Sequence, residues 1–273
     1  MKKPCTALIW RFDNDMPRST HSVAAPRALP SGDFHWGAGS ALSLAPQSFP
    51  LPLNTPEIAM FSTSLPLFIP PQQPARRTII CLGTPRGGTS MVAGAIAGLG
   101  VFMGEDLPVN IEDTQFNPDL AGGDGPEFIA QVKHAIAQRS AAHTIWGWKY
   151  PRAGRYIERV CDLIPNPHFV VVFRDPLPSA LRGARRPGLT PKAIAAASHK
   201  TIQSRLRIEM ENLSLVYRLE KPTLMVSFEK AQTEPETFLE ELAQFVGLPV
   251  PQDVSPILRF MEPGTYKDIS MLL

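Results

Sequence analysis

From residue 76 onward the chain alternates short apolar runs with longer stretches in which apolar positions recur every three or four residues. Four runs, "TIICLG" (78–83), "TIWGWK" (144–149), "HFVVVF" (168–173) and "TLMVSF" (223–228), are β-branched or aromatic and bounded by turn residues, which predicts strands. Between them the pattern predicts helices from Thr89 to Leu99, Pro126 to Ser140, Ala153 to Leu163 and Pro191 to Leu219. A last helix is predicted over "EPETFLEELAQFVGL", with Thr233 as N-cap and an end near Gly247. Strands that alternate with helices predict a mostly parallel sheet covered on both faces, a three-layer α/β domain over residues 76–273.

Residues 1–75 break this pattern. Twelve of the chain's 29 prolines fall there, in phrases such as "SFPLPLNTP" and "SLPLFIPPQQP". Proline at that density blocks both helix and sheet pairing, so the stretch is expected to be a disordered or loosely docked extension. The N-terminal "MKKPCTALIWRFDND" is interrupted by proline and charge and makes a poor signal peptide. The longest apolar stretch, Met91 to Met103, is too short and too rich in glycine and alanine to span a bilayer. A cytoplasmic protein without stable membrane insertion is the expectation.

Composition narrows little: 44% hydrophobic and 19% charged residues are ordinary for a globular chain. A formal charge of +2 by itself gives no ground for nucleic-acid or membrane binding, so local charge matters more than the total. Cys5, Cys81 and Cys161 are scattered and show neither a disulfide framework nor a metal-ligand spacing. Cys81 lies in a predicted strand and is expected in the core.

The chemistry begins at "GTPRGGTSM" (83–91), between the first predicted strand and the first predicted helix. Backbone N–H groups of such a turn form a nest for an anion, and the helix N-terminus adds its positive dipole end. Gly83, Gly87 and Gly88 let the backbone approach a ligand, and Thr89 and Ser90 offer hydroxyls. The nucleoside-triphosphate pattern G-x-x-x-x-G-K-[ST] is met at Gly83, Gly88 and Ser90, but Thr89 stands where the lysine belongs. Cationic charge sits in the loop instead, at Arg86.

"TPRGGTSM" resembles the 5′-phosphosulfate loop of the sulfotransferase family at Pro85, Arg86, Gly88, Thr89 and Ser90. "FVVVFRDP", ending the third predicted strand, resembles the family's 3′-phosphate motif, and "GWKYPR" resembles its Gly-Trp-Lys-x-Pro-Arg phrase at Gly147, Trp148, Lys149, Pro151 and Arg152. "SFEKAQTEPETFLEELAQFVGL" resembles a fourth family region without assigning chemistry, although Glu229 would hold loops together through backbone amides. The resemblance implies a P-loop-type fold and a sulfonyl donor, 3′-phosphoadenosine 5′-phosphosulfate (PAPS), bound by residues 85–90 and Arg174. It implies no metal and a small-molecule, glycan or lipid acceptor. The family places a serine eight residues after its arginine. Here that position is Arg182, while the nearby serine is Ser179, and either serves as the second donor to the 3′-phosphate. The family's C-terminal glycine-rich loop has no recognisable counterpart, and "EPGTYKD" is the available stand-in.

The resemblance gives catalytic roles to Arg86, at the leaving phosphate, and to Lys149, at the transferring group; a solvated lysine at a strand end is the plain alternative. The acceptor's proton needs a base. The acidic lip "MGEDLPVNIEDTQFN" offers Glu105, Asp106, Glu112 and Asp113, of which Glu112 is chosen; His134 and His143 are explained by a helix face and a helix end. Trp146 and Trp148 are expected in the core or the wall. Of the cations from Arg174 to Arg207, the proximal arginines are assigned to the nucleotide. The distal ones (Lys192, Lys200, Arg205) fit a solvated face equally well. Two further functions stay open: a kinase-like P-loop phosphotransferase, and a catalytically inactive nucleotide- or partner-binding protein.

Overall fold

The computed structural model describes residues 61–184, 188–264 and 267–272. Its sheet has the order β1-β5-β4-β2-β3, with β1 (Ser64–Leu67), β2 (Arg77–Gly83), β3 (Ile145–Lys149), β4 (Pro167–Phe173) and β5 (Thr223–Ser227). Strands β2 to β5 run parallel and only β1 is antiparallel. The four predicted strands are all present. All seven residues of β2 are buried, as a central strand with both faces covered must be.

One apolar layer joins the sheet to α1 (Thr89–Gly98), α6 (Pro235–Val246) and α7 (Ser255–Met261), through Ile96, Phe238, Leu242 and Phe260. The other joins it to α2 (Pro126–Ala142) and the end of α4 (Pro191–Leu219), through Phe128, Val132, Leu215 and Val216. This is the expected three-layer α/β arrangement. In the second layer Trp148 stacks on Phe116 at 4.3 Å between ring centres, and its indole N–H donates to the Tyr156 hydroxyl at 3.0 Å. Trp146 and Trp148 are both core residues, at 1% and 0% exposure. Cys81 is buried too, and burial pushes its thiol up to about 12.

Three expectations need correction. The stretch from Ala153 to Leu163 is not one α-helix but three 3₁₀ turns, Ala153–Arg155, Ile157–Arg159 and Cys161–Leu163. This segment must run back along the sheet from the end of β3 to the start of β4. A 3₁₀ turn rises about 2.0 Å per residue against about 1.5 Å for an α-helix, so it covers the strand length with fewer residues. Thr233 does not cap α6. It is the last residue of α5 (Phe228–Thr233), and its hydroxyl donates back to the carbonyls of Glu229 and Lys230. Pro235 opens α6 instead.

The third correction concerns the domain start. Strand β1 lies inside the proline-rich stretch, so the sheet takes in residues that had been assigned to the extension; residues 1–60 lie outside those described. The attachment is Glu241 of α6, 6% exposed, which accepts hydrogen bonds from the Ser62 and Thr63 amides and from the hydroxyls of Thr63 and Ser64. Burial alone would raise the Glu241 carboxyl, but these donors outweigh it and hold it below the usual range. A carboxyl lowered by folding stabilises above its unfolded pKa of about 4.3, and that stabilisation is lost as pH falls through the lower folded value. Glu241→Gln should therefore cost about 1–3 kcal/mol at neutral pH and flatten part of the acid limb of stability, as read by denaturant titration between neutral and acid pH. An unchanged acid limb would show that β1 is held by pairing with β5 alone.

Candidate functional site

The carboxyl ends of the parallel strands all open on one cleft of about 840 Å³. Chain order places β3 on one side of β2 and β4 on the other, so the cleft sits where the connections diverge. The loop from Thr84 to Gly88 joins β2 to α1. Arg86 and Gly88 both have left-handed backbone, at φ 59° and 95°. Gly88 is the N-cap of α1, and no side chain caps that helix. The N–H groups of the first turn therefore face the cleft without a side-chain acceptor.

The glycines are demanded by the protein itself rather than by a ligand's approach. A Cβ on Gly87 would lie 2.4 Å from Thr84 Oγ1, and the Gly87 N–H is spent on the Thr84 carbonyl at 2.8 Å. A Cβ on Gly88 would lie 2.0 Å from the Phe228 ring. Gly83 is a buried β2 residue packed on β4. Pro85, Arg86, Gly88, Thr89 and Ser90 line the cleft.

Arg174 follows β4 and lines the same cleft. Its guanidinium lies 4.1 Å from the Phe228 ring centre, and Nη1 donates to the Arg86 carbonyl at 3.1 Å. Its Nε is buried without a hydrogen-bond partner, 4.0 Å from Glu229 Oε1. Burial, and then Arg182, lower its pKa from the usual arginine value. Arg182, on α3 (Leu177–Ala184), lines the cleft and donates to Ser179 Oγ one turn away at 3.3 Å. Glu229 accepts from the Asp175 amide at 3.2 Å.

Lys149 ends β3 and is 2% exposed. Its ammonium donates to Glu112 Oε1 at 2.8 Å, the Asn110 carbonyl at 2.8 Å and Ser90 Oγ at 3.3 Å. Burial lowers its pKa, and the Glu112 carboxylate only partly restores it. Among the four acidic lip residues Glu112 alone lines the cleft. Asp113 is buried, pairs with Arg139 and caps the turn Thr114–Phe116, while Glu105 and Asp106 are exposed. His134 is exposed on α2, and His143 stacks on Phe102 at 4.0 Å, so neither reaches the cleft.

Two features were not visible in the sequence. Arg205, from the middle of α4, donates to Thr84 Oγ1 at 3.2 Å, so this distal cation braces the loop rather than a solvated face. Burial, then Arg174, Arg182 and Arg86 among its neighbours, lower its pKa. Glu209, one turn further on, accepts from the Arg174 amide at 3.3 Å. No spacing in the sequence links α4 to residues 84 or 174; only the strand order does. The stand-in "EPGTYKD" also arrives, with Glu262, Pro263, Gly264 and Lys267 lining the cleft. Among the described residues no group of three or more His, Cys, Asp or Glu side chains is arranged to hold a metal ion.

A protein-family model described as "Sulfotransferase family" matches residues 105–252, more than half of the chain and beginning after the phosphate loop. No curated protein matches. Mouse sulfotransferase SULT7A1, in a crystal structure complexed with PAP, is similar at 13% identity and a TM-score of 0.41; the alignment covers 70% of this chain and 66% of that one. An unliganded sugar kinase from Janibacter sp. HTCC2649 is similar at 14% identity and a TM-score of 0.39, covering 64% of this chain and 96% of that one.

Phe228 is a shared support, since Gly88 packs on one part of its ring and Arg174 lies over it. Gly88→Ala must displace that ring and strain a left-handed backbone, whereas Gly122→Ala, at φ 77° with open space, bears only the backbone cost of about 1 kcal/mol. The fall in Tm for Gly88→Ala should be at least about twice that for Gly122→Ala. Equal falls would show that the Phe228 contact does not hold the loop.

Proposed function

Because the chain belongs to the sulfotransferase family, we propose that it moves a sulfonyl group from PAPS to an acceptor hydroxyl or amine. The observation that carries this reading is the convergence of two separate anion anchors in one cleft. One is the uncapped α1 N-terminus with Arg86, and the other is Arg174 with a buried, unpartnered Nε. Two anchors on different strands suit a nucleotide with phosphates on opposite sides of its ribose, whereas a triphosphate asks for one continuous cradle and its lysine.

In this reading residues 85–90 hold the 5′ side, with Arg86 at the leaving phosphate. Arg174 takes the 3′-phosphate. Arg182 supports it, because Arg182 faces the cleft and Ser179 orients it. The donor supplies an activated sulfonyl group and, as leaving group, adenosine 3′,5′-bisphosphate. The acceptor oxygen forms the new S–O bond as the S–O bond to the 5′-phosphate breaks. Glu112 takes the acceptor's proton, and the Lys149 ammonium steadies charge on the transferring group. Their hydrogen bond fixes both groups at the cleft wall. No step asks for a metal, since arginine and lysine neutralise the phosphates. A location in the cytoplasm accompanies this reading, and no described helix is long and apolar enough to cross a membrane.

One observation favours a phosphotransferase instead. Lys149 reaches Ser90 of the loop from the neighbouring strand, where it would substitute for the absent loop lysine. Calorimetric titration separates the two. Adenosine 3′,5′-bisphosphate should bind in preference to ATP–Mg²⁺, and Arg174→Ala should weaken it by about tenfold or more. Preference for ATP–Mg²⁺, indifferent to Arg174, would sink the sulfotransferase reading.

The catalytic pair has its own test, with bisphosphate release from PAPS measured against a panel of hydroxyl acceptors. Lys149→Met and Glu112→Gln should each lower kcat by about a hundredfold, with bisphosphate affinity kept within about threefold for Glu112→Gln. If turnover is unchanged in both, neither residue is catalytic. If the native chain binds bisphosphate but turns nothing over, the chain is a nucleotide-binding protein.

A further inference from the structure

The cleft accounts for only part of an uneven charge distribution. The segment from Arg174 to Arg207 holds eight lysines and arginines against one acid, Asp175, a net +7 in a chain whose total is +2, so the remainder is net −5. Arg174, Arg182 and Arg205 serve the cleft or its loop. Lys192, Lys200 and Arg207 are exposed on α4, and Lys192 and Lys200 share one face with the exposed Ala196 between them. The ion pair Arg207–Glu211 is the only one recorded for these three among the described residues.

The same region exposes apolar side chains. Leu177 and Leu181 lie one turn apart on α3 and are 53% and 58% exposed. Leu189, just before α4, is 38% exposed. α3 packs along α4, and Arg182, beside Leu181, lines the cleft. Exposed leucines on α3 and exposed lysines on α4 thus lie on two packed helices, and α3 reaches the rim of the site through Arg182. A soluble polyanion would be served by the cations alone, and an apolar partner by the leucines alone. Lysines that reach acidic headgroups around leucines that enter the acyl boundary suit an anionic bilayer surface.

We propose that the α3–α4 hairpin is a peripheral docking surface for anionic lipid membranes. It sets the mouth of the cleft against the headgroup layer. The docking surface stands without the assignment of function. Its consequence for substrate, a lipid-borne hydroxyl presented at the headgroup, rests on the sulfotransferase reading.

The experiment is co-sedimentation of the full chain with sucrose-loaded vesicles of phosphatidylcholine alone or with one third phosphatidylserine. The expected result is binding to the phosphatidylserine vesicles only, weakened by added salt. Leu177→Ser with Leu181→Ser, and separately Lys192→Glu with Lys200→Glu, should each reduce it about tenfold or more. All four positions are exposed, and an unchanged thermal unfolding midpoint for each variant shows that the fold is intact, whatever the bisphosphate titration gives. Vesicle binding by a chain that does not bind the bisphosphate would keep the docking surface and remove the sulfotransferase reading. No binding to either vesicle, or equal binding to both, overturns the docking surface whatever the nucleotide result. So does binding carried entirely by the lysines, with the leucine variant unaffected and immobilised heparin retained equally well; that outcome marks a soluble polyanion as the partner.

Discussion

The architecture of the site rests on burying the ammonium of Lys149. Removing such a charge from water costs several kcal/mol unless its hydrogen bonds are replaced. Glu112 and the Asn110 carbonyl, both from the acidic lip, and Ser90 in the first turn of α1 replace them. The acidic lip is thereby drawn onto the end of the sheet, and the first turn of α1 is fixed beside it. An apolar residue at position 149 would pack as well, but it would leave the lip without its inward anchor and Glu112 without its partner.

On the opposite wall the problem is reversed, because like charges are crowded. Arg86, Arg174, Arg182 and Arg205 approach one another with too little carboxylate to neutralise them. Burial and mutual repulsion lower the guanidinium pKa of Arg174 and of Arg205. The crowding is sustained by contacts that ask for no counter-charge, such as the Phe228 face under Arg174 and the loop carbonyl it bonds. Such a wall is relieved by an anion and gains nothing from a neutral ligand.

Much of this was legible from residues in sequence. Strand runs, helix periods and the loop "GTPRGGTSM" are local patterns, and local physics sets them. Lys149 and Arg174 were legible because each ends an apolar run, where an open α/β sheet gathers ligands. What was missed depends on tertiary paths. Arg205 looks like any exposed helix cation until strand order brings α4 beside Thr84. The 3₁₀ connection carries a helical pattern, and only the distance it must cover stretches it. Glu112 and Asp113 are neighbours of like charge, yet one faces the cleft and the other is taken by Arg139, a contact set by the packing of α2.

Strand β1 has a consequence for the order in which the molecule can be completed. Its partner β5 and its anchor Glu241 lie more than 150 residues further along the chain, whereas β2, β3 and β4 pair across much shorter intervals. During synthesis the segment around Ser64 emerges early and must wait, unpaired, until α6 has left the ribosome. Its prolines and small hydroxyl residues make it a poor template for premature pairing. The last stitch in the sheet is therefore made by nearly the first residues of the domain, which closes the edge only once everything beneath it is in place.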